Sequence, residues 1–191
     1  MAPVLIKAGA FSMSSYSFFI FLGAAVIFTS GLLLSFKSGL PIVEIAAFLF
    51  FGLAAAVIGA KIYLWIILTI QGVPLAGNSF LGLFAIPKGE GGFLGALAAG
   101  SLFAYFYARC CRLPFWSLGD HLVPGIAAGY AVMKIGCFLN GCCSGISSSL
   151  PWAVRFPSQN TYVHPVQLYE SVLTLALAVF LYRKNRREKW M

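Results

Sequence analysis

The chain has 191 residues, 60% of them hydrophobic and 9% charged, with a mean hydropathy of +0.90. That balance excludes an ordinary water-soluble domain, in which about a quarter of the residues are charged. The net charge of +8 does not point to nucleic acid, because much of it sits in one tail, RKNRREK, directly after the last apolar run. Topology and attraction to anionic lipid account for such a tail without a further partner.

Runs of about 20 apolar residues are long enough to cross a hydrocarbon core as helices. In chain order the spans are expected at Ser17–Phe36, Pro41–Ile70, Gly91–Ala108, His121–Leu139 and Pro165–Tyr182. The fold class is therefore all-α, a polytopic membrane helix bundle in a single integral domain, 1–191, with no repeat or low-complexity linker. Only Lys7 flanks the first span on its amino-terminal side, and no small-x-small cleavage pattern leads into a polar domain. This span is expected to stay in the membrane rather than be removed as a signal peptide.

The second span is interrupted by Glu44 and Lys61. Between it and the third, Gln71–Glu90 reads QGVPLAGN, SFLGLFAI and PKGE, whose apolar piece is too short to span and predicts a short re-entrant or interfacial segment. GLAAAVIGA at Gly52–Ala60 and GGFLGALAAG at Gly91–Gly100 supply small residues that let helices approach closely in lipid. With five spans, one side receives Lys37, Arg109, Arg112, Arg183, Lys184, Arg186, Arg187 and Lys189, and the other only Lys7, Lys88 and Arg155. The positive-inside rule then puts the amino terminus outside, the carboxyl terminus in the cytoplasm, and the polar segment Asn140–His164 on the outer side.

Ionisable side chains within spans cost several kcal/mol and need a partner or a purpose. Lys61, Glu90, Lys134 and Glu170 are the cases here, with Lys134 and Glu170 both near the outer headgroups. Two readings stand. The four neutralise one another as buried ion pairs that hold the bundle in register, or the cations face a phosphate headgroup entering from the lipid while a carboxylate or imidazole accepts a proton. In HPVQLYE the spacing puts His164, Gln167 and Glu170 on one helical face. Asp120 is expected to cap the fourth helix, and neither it nor His121 is assigned chemistry.

Cys137, Cys142 and Cys143 are the densest cysteine group, but C-x4-C-C is not a standard zinc spacing, so no metal is expected. Buried packing and a Cys137–Cys142 disulfide are the alternatives, while Cys110 and Cys111 pack on the cytoplasmic side.

The stretches KIGCFLNGCCSG, LPWAVRFP and HPVQLYE resemble the signature region of prolipoprotein diacylglyceryl transferases, which typically read G-R-x-G, then N or C, F, x-N-G, and later H-P-x-Q-L-Y-E. PVLIKAGAFSMSSYSFFIFLG is similar to that family's opening, GAKIYLW to its G-A-R-x-x-Y, and EGGFLGALAAG to its H-G-G-L-x-G, so nearly the whole chain is covered. The resemblance implies a multi-pass protein of the bacterial cytoplasmic membrane, working without a cofactor. Such a protein moves a diacylglyceryl group from phosphatidylglycerol to the thiol of a lipobox cysteine in a secreted precursor and releases glycerol phosphate.

By motif, Lys134 stands where the family has its essential arginine, Asn140 and Gly145 where it has the signature Asn and Gly, and Tyr16 where it has an amino-terminal Tyr, all implied to bind the headgroup. Glu90 stands where the H-G-G histidine is expected. Lys134 offers a point charge in place of arginine's planar fork. The family's last helices, with the Arg and Glu they contribute, have no counterpart after the fifth span, which implies a short, divergent member.

The transferase reading assigns Glu90 or His164 as base and Lys61, Lys134 and Arg155 to phosphate, with Gln167 and Glu170 beside the substrate. It expects a polar pocket opening sideways, lined by Lys61, Lys134, Asn140 and His164. A catalytic cysteine would require Cys142 or Cys143 to face that pocket. Two other readings are a lipid-modifying or thiol-handling enzyme with a different acceptor, and a non-catalytic lipid binder or small subunit of a membrane complex, marked by a buried Lys134–Glu pair.

Overall fold

The computed structural model describes residues 4–8, 11–37, 39, 41–72, 92–157 and 159–187. Five helices dominate: α1 (Ser15–Lys37), α2 (Ile42–Ile70), α3 (Phe93–Cys110), α4 (Phe115–Asn140) and α5 (Val166–Arg187). All five are long and apolar enough to cross a membrane, as the hydropathy predicts. Before α1 runs a small antiparallel hairpin, β1 (Val4–Ala8) with β2 (Phe11–Ser14), pairing Lys7 with Ser12 and Ala8 with Phe11. Strands this short carry no signal at the length of a span, so hydropathy missed them. The segment expected to re-enter the membrane lies, beyond Gly72, outside the described residues, and Glu90 with it.

Two helix ends differ from expectation. α4 begins at Phe115 rather than His121, because Pro114 supplies the carbonyl that accepts the Leu118 N–H and nothing after it breaks the ladder. Asp120 is therefore inside the helix and does not cap it. Its backbone matters instead. Pro124 lacks an N–H, so the Asp120 carbonyl one turn earlier loses its helical donor, and Asn185 on α5 donates its side-chain N–H to that oxygen. α5 itself runs past Tyr182 to Arg187, since RKNRR contains good helix formers and no breaker.

The chain forms two compact units, Met1–Leu40 with Gly119–Met191, and Pro41–Leu118. In the second, α2 and α3 pack face to face through the small-residue stretches. A Cβ on Gly95 would lie 2.3 Å from the Gly59 carbonyl oxygen, so the approach of the two backbones depends on glycine at both positions. Toward the other end Phe48, Phe103 and Tyr107 form a ring cluster, and the Tyr107 hydroxyl donates to the Glu44 carbonyl at 3.0 Å. In the first unit α1 crosses α4 where Gly23 faces Gly129. α5 is tied to α4 by the buried Ser171 hydroxyl, which donates to the Ala131 carbonyl at 2.9 Å.

Candidate functional site

The polar end of the first unit is built by the last turns of α4, the loop 141–165 and the first turns of α5. Helix α4 stops at Asn140 because Gly141 turns left-handed (φ +77°), its N–H still donating to the Cys137 carbonyl at 3.0 Å. The loop then folds back on itself. Val154 and Val163 exchange two backbone hydrogen bonds of 3.0 Å, Ser148 donates to Tyr162, and Gly145 and His164 are joined by Gly145 N–H to His164 carbonyl at 3.0 Å. A Cβ on Gly145 would meet Val166 at 2.5 Å and the His164 Cβ at 2.9 Å, so this signature glycine lets the loop lie against the start of α5. Phe156, fully buried, fills the space beneath Gly141 and packs edge-on against Phe138.

On this frame Lys134 of α4 and Glu170 of α5 form an ion pair. The Lys134 side chain is 15% exposed and that of Glu170 39%, but the Glu170 Oε2 that meets the ammonium is itself buried and has no other hydrogen-bond partner. The ammonium also lies 5.2 Å from the ring centroid of Tyr130, one turn earlier on α4. Of the two readings of the intramembrane charges, the ion pair is the one observed for these two residues. Tyr16, near the start of α1, is close enough to Lys134 and to the three neighbouring cysteines to feel their charges.

Gln167, fully buried, donates from Nε2 to the Cys142 carbonyl at 2.6 Å, while its Oε1 has no hydrogen-bond partner. The expected face of His164, Gln167 and Glu170 is only partly formed. His164 precedes α5 by two residues, and its Nδ1 lies 3.4 Å from the Tyr169 hydroxyl rather than beside Gln167 or Glu170. That hydroxyl accepts the Trp152 indole N–H at 2.8 Å. Of the Trp152–Tyr169–His164 arrangement only His164 is among the candidates read from the sequence; Trp152 and Tyr169 show there only as the aromatic residues of LPW and HPVQLYE.

Arg155 sits between inward-facing Val154 and Phe156 and is exposed, with no ion-pair partner among the described residues. Lys61 is a half-buried residue of α2 in the second unit. A cleft of about 290 Å³ in the first unit, lined by Ser30, Leu34, Pro124, Leu175 and Tyr182, is apolar and lies about 15 Å along α4 from Lys134.

The cysteines are brought together. Cys137, Cys142 and Cys143 have sulfur atoms within 4.8 Å of one another, and all are free thiols. Of the two alternatives for Cys137 and Cys142, the disulfide is not formed and the thiols pack against each other. Hydrogen bonds from Cys137, then from Cys143 and the Asn140 side chain, hold the Cys142 thiol below its ordinary range. The Cys143 thiol, drawn down by Cys137 but pushed up by Cys142 and by burial, ends above it.

Five membrane-capable helices with a charged, hydrogen-bonded site at one end of a three-helix unit define a polytopic membrane protein. The family model of prolipoprotein diacylglyceryl transferase matches residues 3–191, and the chain belongs to that family. It is 33% identical over 209 aligned positions to the phosphatidylglycerol–prolipoprotein diacylglyceryl transferase of Prochlorococcus marinus, covering 98% of this chain and 69% of the relative. Likeness to the enzyme of the same name from a Synechocystis species is 30%, covering 98% and 69%, and to that from Clostridium tetani 29%, covering 98% and 75%.

Proposed function

We propose that this protein transfers the diacylglyceryl group of phosphatidylglycerol to a cysteine thiol of a lipoprotein precursor, at the outer leaflet of a bacterial cytoplasmic membrane. The thiolate sulfur attacks the glyceryl carbon that bears the phosphate, a C–S bond forms as the C–O bond breaks, and glycerol phosphate departs with the electron pair. A general base must take the thiol proton, and a cation must receive the charge that builds on the phosphate.

The observation that carries this reading is the placement of Lys134. Its ammonium is mostly buried against the Oε2 of Glu170, whose side chain as a whole is 39% exposed, so a phosphate arriving beside that side chain has one carboxylate oxygen to displace in order to reach the cation. His164, oriented by Tyr169 and Trp152 at the loop edge, is the proposed proton acceptor, with Glu90 as the second candidate. Asn140, Gly145, Gln167, Glu170 and Tyr16 shape the headgroup site, and the unpartnered Oε1 of Gln167 suits a glycerol hydroxyl donor. Arg155 and Lys61 are the further cations proposed to meet phosphate.

The test is transfer of labelled diacylglycerol from phosphatidylglycerol to a lipobox peptide by the purified protein. Transfer that depends on Lys134 supports the reading, and its absence where a longer relative works would end it. The Lys134–Glu170 pair also favours a second reading, a lipid-binding relative without activity, because the cation is already satisfied. Binding of phosphatidylglycerol with no transfer is the result that reading requires.

A further inference from the structure

Three thiols meet at the end of α4, and none is needed by the transfer chemistry above. Cys137 is buried in the last turn of the helix, and the chain brings Cys142 and Cys143 back over it. That return takes two left-handed residues, Gly141 at φ +77° and Cys143 at φ 62°. The latter is a conformation that costs a residue with a Cβ about 1–2 kcal/mol. The Cys142 N–H donates to the Cys137 carbonyl at 3.1 Å, and Gln167 clamps the Cys142 carbonyl from α5. The cluster is therefore held in place from two helices rather than gathered by chance on a loose loop.

From the convergence of these three sulfurs we infer that Cys137, Cys142 and Cys143 form a binding site for a thiophilic d10 cation, with monovalent copper preferred. Three sulfurs bonded at about 2.3 Å around one ion lie about 4 Å apart, which the observed separations within 4.8 Å accommodate without moving the backbone. A disulfide uses two thiols and leaves the third unpaired, whereas a trigonal thiolate site uses all three. No histidine, aspartate or glutamate joins the cluster among the described residues, and a three-sulfur set suits monovalent copper better than zinc, which takes four ligands. Binding forms three sulfur–metal bonds and releases the thiol protons to solvent, with no change of oxidation state.

The test uses the full chain in detergent, reduced with a phosphine and kept free of oxygen. Monovalent copper is added from a chromophoric competing chelator, and the protein is alkylated and mapped by mass spectrometry. One equivalent of copper is expected to protect Cys137, Cys142 and Cys143 together while the exposed Cys110 and Cys111 stay reactive, and excess chelator should restore reactivity. Zn2+ is expected to protect the same three thiols only weakly. Cys142→Ser and Cys143→Ser should each lower copper affinity by more than the roughly 10–100-fold that loss of an outer-shell group causes. The wild-type protection pattern makes the test independent of whether Cys137→Ser folds. Protection of fewer than three thiols, equal protection of Cys110 and Cys111, stronger protection by Zn2+, or unchanged copper affinity in both serine variants would each overturn the assignment.

Discussion

Replacing Lys134 with methionine separates what its charge does for the fold from what it does for the phosphate. Removing one partner of a fully buried pair costs about 3–5 kcal/mol, while an exposed pair is worth about 0–1 kcal/mol. Here the lysine is 15% exposed and its glutamate 39%, so solvent at the carboxylate takes up part of the loss and the expected destabilisation is about 1–3 kcal/mol. Loss of a preorganised charge at the leaving phosphate is expected to lower transfer by about 10²–10³-fold, well beyond what that destabilisation alone accounts for when the variant is assayed below its unfolding midpoint. Glu170→Gln removes the same ion pair but keeps the cation, and should lower transfer far less than Lys134→Met. Lys134→Arg, which supplies a planar fork, should retain it. Stability is followed by thermal unfolding in detergent and activity by labelled lipid transfer. Equal loss of transfer in Lys134→Met and Glu170→Gln would show that the pair acts as a strut and that no phosphate rests on the lysine.

Gln167→Leu should cost about 1–3 kcal/mol by leaving the Cys142 carbonyl without its donor, and should speed alkylation of Cys142 and Cys143 in the metal-free protein; unchanged alkylation would mean that the clamp holds nothing. Gly95→Val forces α3 away from the Gly59 carbonyl and should destabilise by at least about 1–3 kcal/mol, read as a lower unfolding midpoint or loss of folded yield. Asn185→Leu removes the donor to the Asp120 carbonyl left free by Pro124 and should cost about 1 kcal/mol, an effect expected to shrink in a Pro124→Ala background that restores the helical N–H. His164→Ala should lower kcat for transfer by about 10²–10⁴-fold with little change in lipid binding, and a normal kcat would pass the role of base to Glu90.

The helices were legible because solvation by lipid imposes a length and an absence of charge that any window of sequence reveals. Positions that depend on one proline were less so. The start of α4 depends on the Pro114 carbonyl as acceptor for the Leu118 N–H rather than on Asp120 as a cap, and Asn185 matters because Pro124 leaves the Asp120 carbonyl without its helical donor. Glu170 and Lys134 could be placed at a common depth from their spans, but their pairing depends on how α4 and α5 rotate about their axes, which helices of such weak amphipathicity do not encode. The helical spacing of HPVQLYE places His164 on the face of Gln167 and Glu170 only if the helix includes it; α5 begins at Val166, and the imidazole turns to Tyr169 instead. The thiol cluster was hidden for a related reason, since a spacing of five residues suggests neighbours only if the chain reverses, and the reversal at Gly141 and Cys143 is tertiary in origin.

A cation meant for a lipid phosphate must exist in the membrane before the lipid arrives, and an unpaired ammonium at that depth costs several kcal/mol. A permanent, fully buried carboxylate removes that cost but competes with substrate at full strength. In the proposed site Lys134 is held differently, by a partner whose own side chain is more than a third exposed and with the face of Tyr130 behind it. The partly exposed Glu170 side chain gives its carboxylate a route to water when it lets go, so exchanging it for a phosphate costs less than breaking a sealed pair, while Tyr130 keeps the ammonium from following it. The surrounding frame is tied at three points, with Gly145 packed on His164, Gln167 bonded to Cys142 and Ser171 bonded to Ala131. On these grounds the resting ion pair and the proposed headgroup site are two occupancies of one cation.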